Sequence, residues 1–279
     1  MNSAATLVIG ATGTTGSRTI ARLTAEGHRV KAAGRQATAV PGAEPVAFDW
    51  YDPATHAAAL DGVDRVYLLP PLGDADPAAV MLPFLRQARV GGVRRAVLLS
   101  SSAIPEGGPA VGAVHRVLPE LFDQWAVLRP SWFMQNFTGT HAHAVSIRTE
   151  GVIRSATGSG RVGFVDAGDI AAVAVRALTN AHAPNTDLVL TGPEALGYDD
   201  IAAIVTETTG RRVVHQRLTP EQMRDRHARE MPLEFATMLA QMDRAIAEGA
   251  ENRVTDTVRR VTGGPARGFR ELLGASPAG

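Results

Sequence analysis

The stretch TLVIGATGTTGSRTIARL, residues 6–23, holds an apolar run, then Gly10, Gly13 and Gly16 spaced three apart, then a segment of helical period. A strand that passes straight into a helix through such a turn meets a specific physical demand. The first glycine permits a tight turn, the second lets the backbone approach a pyrophosphate, and the third lets the helix pack closely on the strand. Free N–H groups and a partial positive charge at the helix start then face the phosphates. Thr12, Thr14 and Thr15 add amides and hydroxyls to the same turn. The expectation is a dinucleotide site at Gly10, Thr12, Gly13, Thr14, Thr15 and Gly16, with an ordinary glycine-rich turn as the alternative.

Outward from the turn, short apolar runs alternate with helical patterns as far as residue 130. The runs are 6–9, 30–33, 45–48, 65–69, 96–99 and 125–128, and the helical patterns are 17–25, 54–60, 78–89 and 114–122. Apolar strands alternating with helices predict an α/β fold, a doubly wound parallel Rossmann sheet covered on both faces. After Pro130 the rhythm loosens. Short strands with glycine turns fit 151–165, and Asp166 or Asp169 is placed to cap a helix over 170–178. A strand fits 187–190, a helix 198–208 stopped by Gly210, a strand 213–218 and a helical pattern 220–246. The expected organisation is a dinucleotide-binding domain over 1–150, to which 164–191 returns, and a smaller interleaved α/β lobe over 151–279 on the substrate side.

Composition excludes several classes. Lys+Arg and Asp+Glu are 28 each, so no positive field favours nucleic acid. The absence of cysteine removes thiolate nucleophiles, disulfides and Cys-based metal sites. No segment approaches the roughly 18 uninterrupted apolar residues of a membrane span, and the N-terminus does not read as a leader. His141 and His143 in THAHAV lack carboxylates beside them, whereas a catalytic zinc has three protein ligands. No Gly-x-Ser-x-Gly elbow marks a serine hydrolase. The expectation is a cytoplasmic protein acting on a small-molecule substrate, with no metal, nucleic acid or membrane as partner and its oligomeric state open.

The second strand, VKAAGR at 30–35, ends on an arginine where an acid would accept from a ribose 2′-hydroxyl. Arginine pairs with a 2′-phosphate through charge-assisted, bidentate bonds, so Arg35 favours NADP(H) over NAD(H). Thr15 and Arg18 are placed to assist. The alternative for Arg35 is a solvated surface residue.

Together with these features the chain resembles the NmrA-like, atypical branch of the short-chain dehydrogenase/reductases. The resemblance runs through GATGTTG at 10–16, FDW at 48–50, VDRVYLLPP at 63–71, RRAVLLSSSA at 94–103, VLRPSWFMQNF at 127–137 and FVDAGDIAAVA at 164–174. TGPEALGYDDIA at 191–202 and TGGPARGF at 262–269 extend it. SWFMQNF is most similar to the subgroup of ergot-alkaloid reductases, azoreductases and quinone reductases. The resemblance implies that Asp49 and Trp50 face the adenine and that Leu69, Pro70 and Pro71 border the cofactor. It also implies that Ser100 and Ser101 lie close to the nicotinamide and that Pro130, Ser131 and Trp132 follow the strand that holds its amide.

One element of the wider superfamily is missing. Its usual Tyr-x-x-x-Lys pair protonates a carbonyl oxygen, the lysine lowering the tyrosine pKa. Here the tyrosines are Tyr51, Tyr67 and Tyr198, followed four residues on by Thr55, Pro71 and Ala202, and the one lysine is Lys31. The region where the pair would fall reads AVGAVHRVLPELF, and His115 is its one histidine. Histidine titrates in the useful range, so His115 is the candidate acid; an exposed helical histidine beside Arg116 is the alternative. Trp132, Phe133, Met134 and Asn136 offer flat apolar surface with one polar handle, as a conjugated substrate wants, or else a core cluster with Asn136 capping a turn. Two functions are expected to compete. One is an NADP(H)-dependent reductase of an iminium, quinone, azo bond or enone. The other is a non-catalytic sensor that reports dinucleotide state to a protein partner.

Overall fold

The structure, a computed structural model, describes residues 4–274. In chain order the elements are β1 (Ala5–Ile9), α1 (Gly16–Ala25), β2 (Val30–Gly34), β3 (Glu44–Ala47), α2 (His56–Leu60), β4 (Val63–Leu68), α3 (Ala78–Val90), β5 (Arg95–Leu99), α4 (Gly112–Leu121) and β6 (Gln124–Pro130). They continue with α5 (Ala142–Glu150), β7 (Val152–Ser155), β8 (Arg161–Val162), α6 (Ala167–Thr179), β9 (Thr186–Leu190), β10 (Leu196–Gly197) and α7 (Tyr198–Thr209). The last are β11 (Val214–Arg217), α8 (Pro220–His227), α9 (Leu233–Ala247), α10 (Thr257–Thr262) and α11 (Phe269–Gly274). Two compact units result. One joins the described residues up to Pro130 with Ala167–Leu190 and Thr257–Gly264; the other joins Ser131–Asp166, Thr191–Asp256 and the described residues from Pro265 onward.

The first unit is built on a parallel seven-stranded sheet of order β3-β2-β1-β4-β5-β6-β9. Every residue of β1 and β5 is buried, as two covered faces require. Leu7, Ile9, Val66, Leu68, Ala96, Leu98 and Val127 share one core with Met81, Phe84 and Leu85 of α3 and with Val114 and Leu118 of α4. Helix α1 packs on α6. It buries Gly16, Thr19, Ile20 and Leu23, the spacing of a single helix face. Chain order reverses between β1 and β4, and a crevice at the carboxyl ends of such neighbours is where open α/β sheets bind ligands.

Arg95 secures α6. Its guanidinium donates to the carbonyls of Leu178 at 2.9 Å and Asn180 at 2.7 Å, satisfying acceptors that the helix end leaves free.

The second unit pairs β7 with β11 in parallel and β8 with β10 antiparallel. Phe137 centres its core, with ring centroids 5.2 Å from Phe164, 5.5 Å from Phe269 and 5.7 Å from Tyr198. The helical stretch expected over 220–246 is two helices. Pro232 disfavours helix in the residue before it, so α8 ends at His227 and α9 begins at Leu233. Among the described residues no helix is long and apolar enough to cross a membrane.

Candidate functional site

The turn after β1 has the backbone its glycines permit. Gly10 has φ +78°, and a Cβ there would overlap Leu69 Cδ2. A Cβ on Gly16 would overlap the carbonyl oxygen of Gly10, so α1 approaches the strand end only because none is present. Gly13 N–H donates to Gly10 O at 2.9 Å and closes the turn. Thr12 and Thr14 are exposed. Thr15 departs from expectation: its side chain is buried, and its hydroxyl accepts from the Tyr67 phenol at 3.0 Å. Core packing therefore claims the Thr15 side chain and leaves it no part beside Arg35.

Arg35 is exposed and opens onto a cleft of about 450 Å³ lined by Thr12, Gly34, Gln36 and Thr38. Its guanidinium makes no hydrogen bond or ion pair with the described residues. Arg18 is already engaged, donating to Thr14 O at 2.7 Å.

Asp49 is half-buried and Trp50 is buried in the core. Asp49 Oδ1 accepts from Tyr51 N–H at 3.0 Å, bracing its own loop. Trp50 is 7% exposed and stacks edge-on with Phe48 and Phe84. Its indole N–H donates to Leu69 O at 3.0 Å, which fixes the end of β4 just before Pro70 and Pro71. This role for Trp50 had no signal in the linear sequence, because it depends on the neighbour that β4 brings.

At the ends of β5 and β6, Ser100 N–H donates to Leu128 O at 2.7 Å and Ser102 N–H to Pro130 O at 2.9 Å. Ser100 Oγ is buried with no partner, the state of a hydroxyl kept for a ligand or a water. Ser101 Oγ accepts from Ala103 N–H at 3.2 Å within its turn. Arg129, missed in the sequence, clamps this region: it pairs with Asp187 at 2.6 Å and donates to Ser102 O at 3.1 Å.

His115 does not face a ligand. It is 3% exposed between α4 and the sheet, with its ring 6.5 Å from that of Trp125. Nδ1 has no partner, and burial holds the imidazole below its ordinary range despite the nearby Asp187 charge. The helical period places position 115 on the apolar face with Val114 and Leu118, which overrides the polarity of the side chain. Lys31 is also taken, donating to Ala58 O at 3.0 Å.

In the second unit, Trp132 and Asn136 line a pocket of about 260 Å³ together with His141, His143, Tyr198, His227 and Asp243. Met134 is 1% exposed in the core, Phe133 is half-buried with its backbone bridged to Val165, and neither lines this pocket. Asp243 and the three histidines went unread as a set because α5, α8 and α9 bring them together from distant positions. Burial lowers His141 and His227 and takes His143 down to about 3. It pushes the Asp243 carboxyl up to about 6. Among the described residues no group of three or more His, Asp or Glu is arranged to hold a metal ion. Ser155, His215 and Asp199 form a hydrogen-bonded series, but Ser155 is fully buried and serves as a brace.

Comparison with known proteins agrees with this architecture. A family model described as NAD(P)H-binding matches residues 10–181. An uncharacterized oxidoreductase, YesF, of Bacillus subtilis (strain 168) is 45% identical over 98% of this chain and 95% of its own. Agroclavine dehydrogenase of Claviceps fusiformis is 39% identical over 81% of each chain. An NAD(P)H azoreductase of Xenophilus azovorans is 33% identical over 98% of each. The turn, the strand order and these relatives agree, and the chain belongs to the NAD(P)H-binding oxidoreductases of the NmrA-like, atypical short-chain dehydrogenase/reductase family.

Proposed function

We propose that this protein is an NADPH-dependent reductase of small conjugated acceptors: an iminium, a quinone, an azo bond or an enone. The observation that carries the reading is the turn at Gly10, Gly13 and Gly16, which sits where chain order reverses and has a backbone that side chains at Gly10 and Gly16 would block. When bound, the reduced nicotinamide supplies a hydride. The chain's own residues do the rest. The amides of Thr12, Thr14 and Thr15 hold the diphosphate at the start of α1, on a turn that Gly13 closes. Arg35, free of protein partners at its cleft, takes the 2′-phosphate and so selects NADPH over NADH. Leu69, Pro70, Ser100 and Pro130 are the residues proposed for the nicotinamide, and Ser101, Trp132 and Asn136 those proposed for the substrate.

The chemistry has to work without a Tyr-Lys pair. Lys31 is bonded to the Ala58 carbonyl and the Tyr67 phenol to Thr15, which supports a chemistry that does not use such a pair. Acceptors already polarised toward hydride need placement and a dry surface more than a strong acid. The azoreductase relative, similar over nearly the whole chain, supports this class.

The test is to mix the protein with NADPH or NADH and a quinone, an azo dye, an iminium salt or an enone, and to follow loss of the reduced-nicotinamide absorbance. Turnover with NADPH exceeding that with NADH is expected. Tight dinucleotide binding with no turnover of any acceptor would replace the reductase with the sensor.

A further inference from the structure

We propose that the recess at the amino ends of β4, β5 and β6 is an anion site separate from the glycine turn, and that it takes a phosphate group. The recess holds about 210 Å³, and Asp64, Arg65, Arg94, Arg95, Gln124 and Asn180 are among the residues that line it. All six belong to the first unit. None of them lines the cleft at Arg35.

Sheet register assembles the recess. Arg65 of β4 pairs with Arg95 of β5, and Arg95 with Gln124 of β6. Register partners on neighbouring parallel strands project from the same face, with the strands about 4.8 Å apart. Two guanidiniums therefore stand side by side, followed by an amide. Arg94 comes from the residue before β5, and Asn180 from the residue after α6.

The protein satisfies only one of the three arginines. Arg95 is buried, and its donors are engaged by Gln124 Oε1 at 2.8 Å and by the carbonyls of Leu178 at 2.9 Å and Asn180 at 2.7 Å. Its charge also meets the negative end of the α6 dipole. Arg65 and Arg94 share one carboxylate: Asp64 lies 3.7 Å from Arg65 Nε and 3.3 Å from Arg94 Nη2. Neither Nη group of Arg65 has a partner among the described residues, and the same holds for the side-chain nitrogens of Gln124 and Asn180. Three positive side chains thus face one negative one in the recess. Burial first, and then the Arg65 charge, lower the Arg95 guanidinium from its ordinary range while Asp64 opposes them, so the excess is felt within the cluster.

A ligand that completes this set must be small, close to doubly negative and rich in acceptors. A phosphate group carries roughly two negative charges at neutral pH and three acceptor oxygens. Guanidinium forks bind such oxygens in pairs. The recess is smaller than the roughly 300–1,000 Å³ of pockets that enclose a whole drug-sized ligand, so it encloses the phosphate and no attached nucleoside. It also lies away from the dinucleotide turn. Arg65 is level with Thr6 in β1, four residues before Gly10, which is roughly 13 Å of strand. Phosphate in the recess and a dinucleotide at the turn therefore do not exclude one another.

The test titrates inorganic phosphate into full-length wild type, Arg65→Gln, Arg94→Gln and Arg35→Ala by calorimetry, with thermal midpoints alongside. Sodium chloride holds the ionic strength constant, and the pH is about 7.5, above the second phosphate pKa. Wild type is expected to bind one phosphate and to do so equally when saturated with NADP+. Arg65→Gln and Arg94→Gln should each weaken it about tenfold, and Arg35→Ala should leave it unchanged. Acetate, with one charge, should bind at least about tenfold more weakly than phosphate. Glycerol phosphate distinguishes the sources: affinity equal to that of phosphate points to the end of a larger ligand, and weaker affinity to the free ion. No heat and no rise in midpoint with phosphate overturn the proposal. So does loss of binding in Arg35→Ala with retention in both Arg65→Gln and Arg94→Gln, which moves the phosphate to the cofactor cleft. Acetate binding as tightly as phosphate rejects the doubly charged ligand.

Discussion

The indole N–H of Trp50 holds the carbonyl oxygen of Leu69 at 3.0 Å, while the side chain of Leu69 fills the space that a Cβ on Gly10 would need. The turn after β1 and the end of β4 are therefore fitted to one another through Leu69, and the Trp50 ring sets that fit from the core. Replacing Trp50 with Phe keeps the edge-on packing and removes the donor. The expected loss is about 1 kcal/mol of stability in denaturant unfolding, the net value of one such hydrogen bond. A rise in KM for NADPH should accompany it. An unchanged midpoint and KM would show that the bond positions nothing.

In the proposed function, cofactor choice turns on Arg35. With no protein partner to satisfy, its removal should act on the ligand alone. Arg35→Ala is expected to weaken NADPH binding by roughly one to two orders of magnitude, the scale of a charge-assisted contact, and to leave NADH nearly as before. Calorimetric titration of both coenzymes checks this. Equal weakening of the two would mean that Arg35 does not read the 2′-phosphate.

The burial of His115 changes what its substitution should do. An imidazole nitrogen buried without a partner is costly, and an apolar side chain of similar size relieves that cost. His115→Leu is therefore expected to leave kcat unaltered and to hold or raise the thermal midpoint. A tenfold or greater fall in kcat at an unchanged midpoint, about 1.4 kcal/mol in the barrier, would restore a role in proton transfer.

His143 gives the fold a dependence on pH whose sign follows from its environment. Its ring stacks 5.4 Å from Phe137, and burial first, then the charges of His141, His227, His215 and Arg226, bring the imidazole from 6.5 to about 3. Between those values the unfolded chain binds a proton that the folded chain refuses, so stability is present above pH 6.5 and is lost as pH falls toward 3. His143→Phe should lessen the acid slope of the unfolding free energy by about one proton. An unaltered slope would place the acid sensitivity elsewhere, in His141 or His227.

Much of the first unit was legible because two covered sheet faces demand uninterrupted apolar strands. Each run up to 125–128 became a strand, and the glycine spacing at 10–16 marks the strand–helix junction on its own. Side chains that serve a neighbour distant in sequence were not legible. Trp50, Thr15 and His115 look like ligand-facing groups by position, yet Leu69, Tyr67 and Trp125 claim them, and only the folded sheet brings those partners near. Arg129 likewise shows its role only once β9 carries Asp187 alongside. In the second unit, α5 and the 3-10 turn at Met134–Phe137 carried no clear period, so the pocket formed around His143, His227 and Asp243 was invisible until those helices were in place.

The central claim is that this chain passes a hydride from NADPH to a conjugated acceptor. A single-turnover measurement reaches it most directly: protein with stoichiometric NADPH is mixed with excess quinone or azo dye, and nicotinamide absorbance and acceptor are followed together. The account predicts that one equivalent of acceptor is consumed as the bound cofactor is oxidised, and that the reaction vanishes when Gly13→Asp sets a carboxylate against the diphosphate. Persistence of bound NADPH unoxidised in the presence of every acceptor would contradict it.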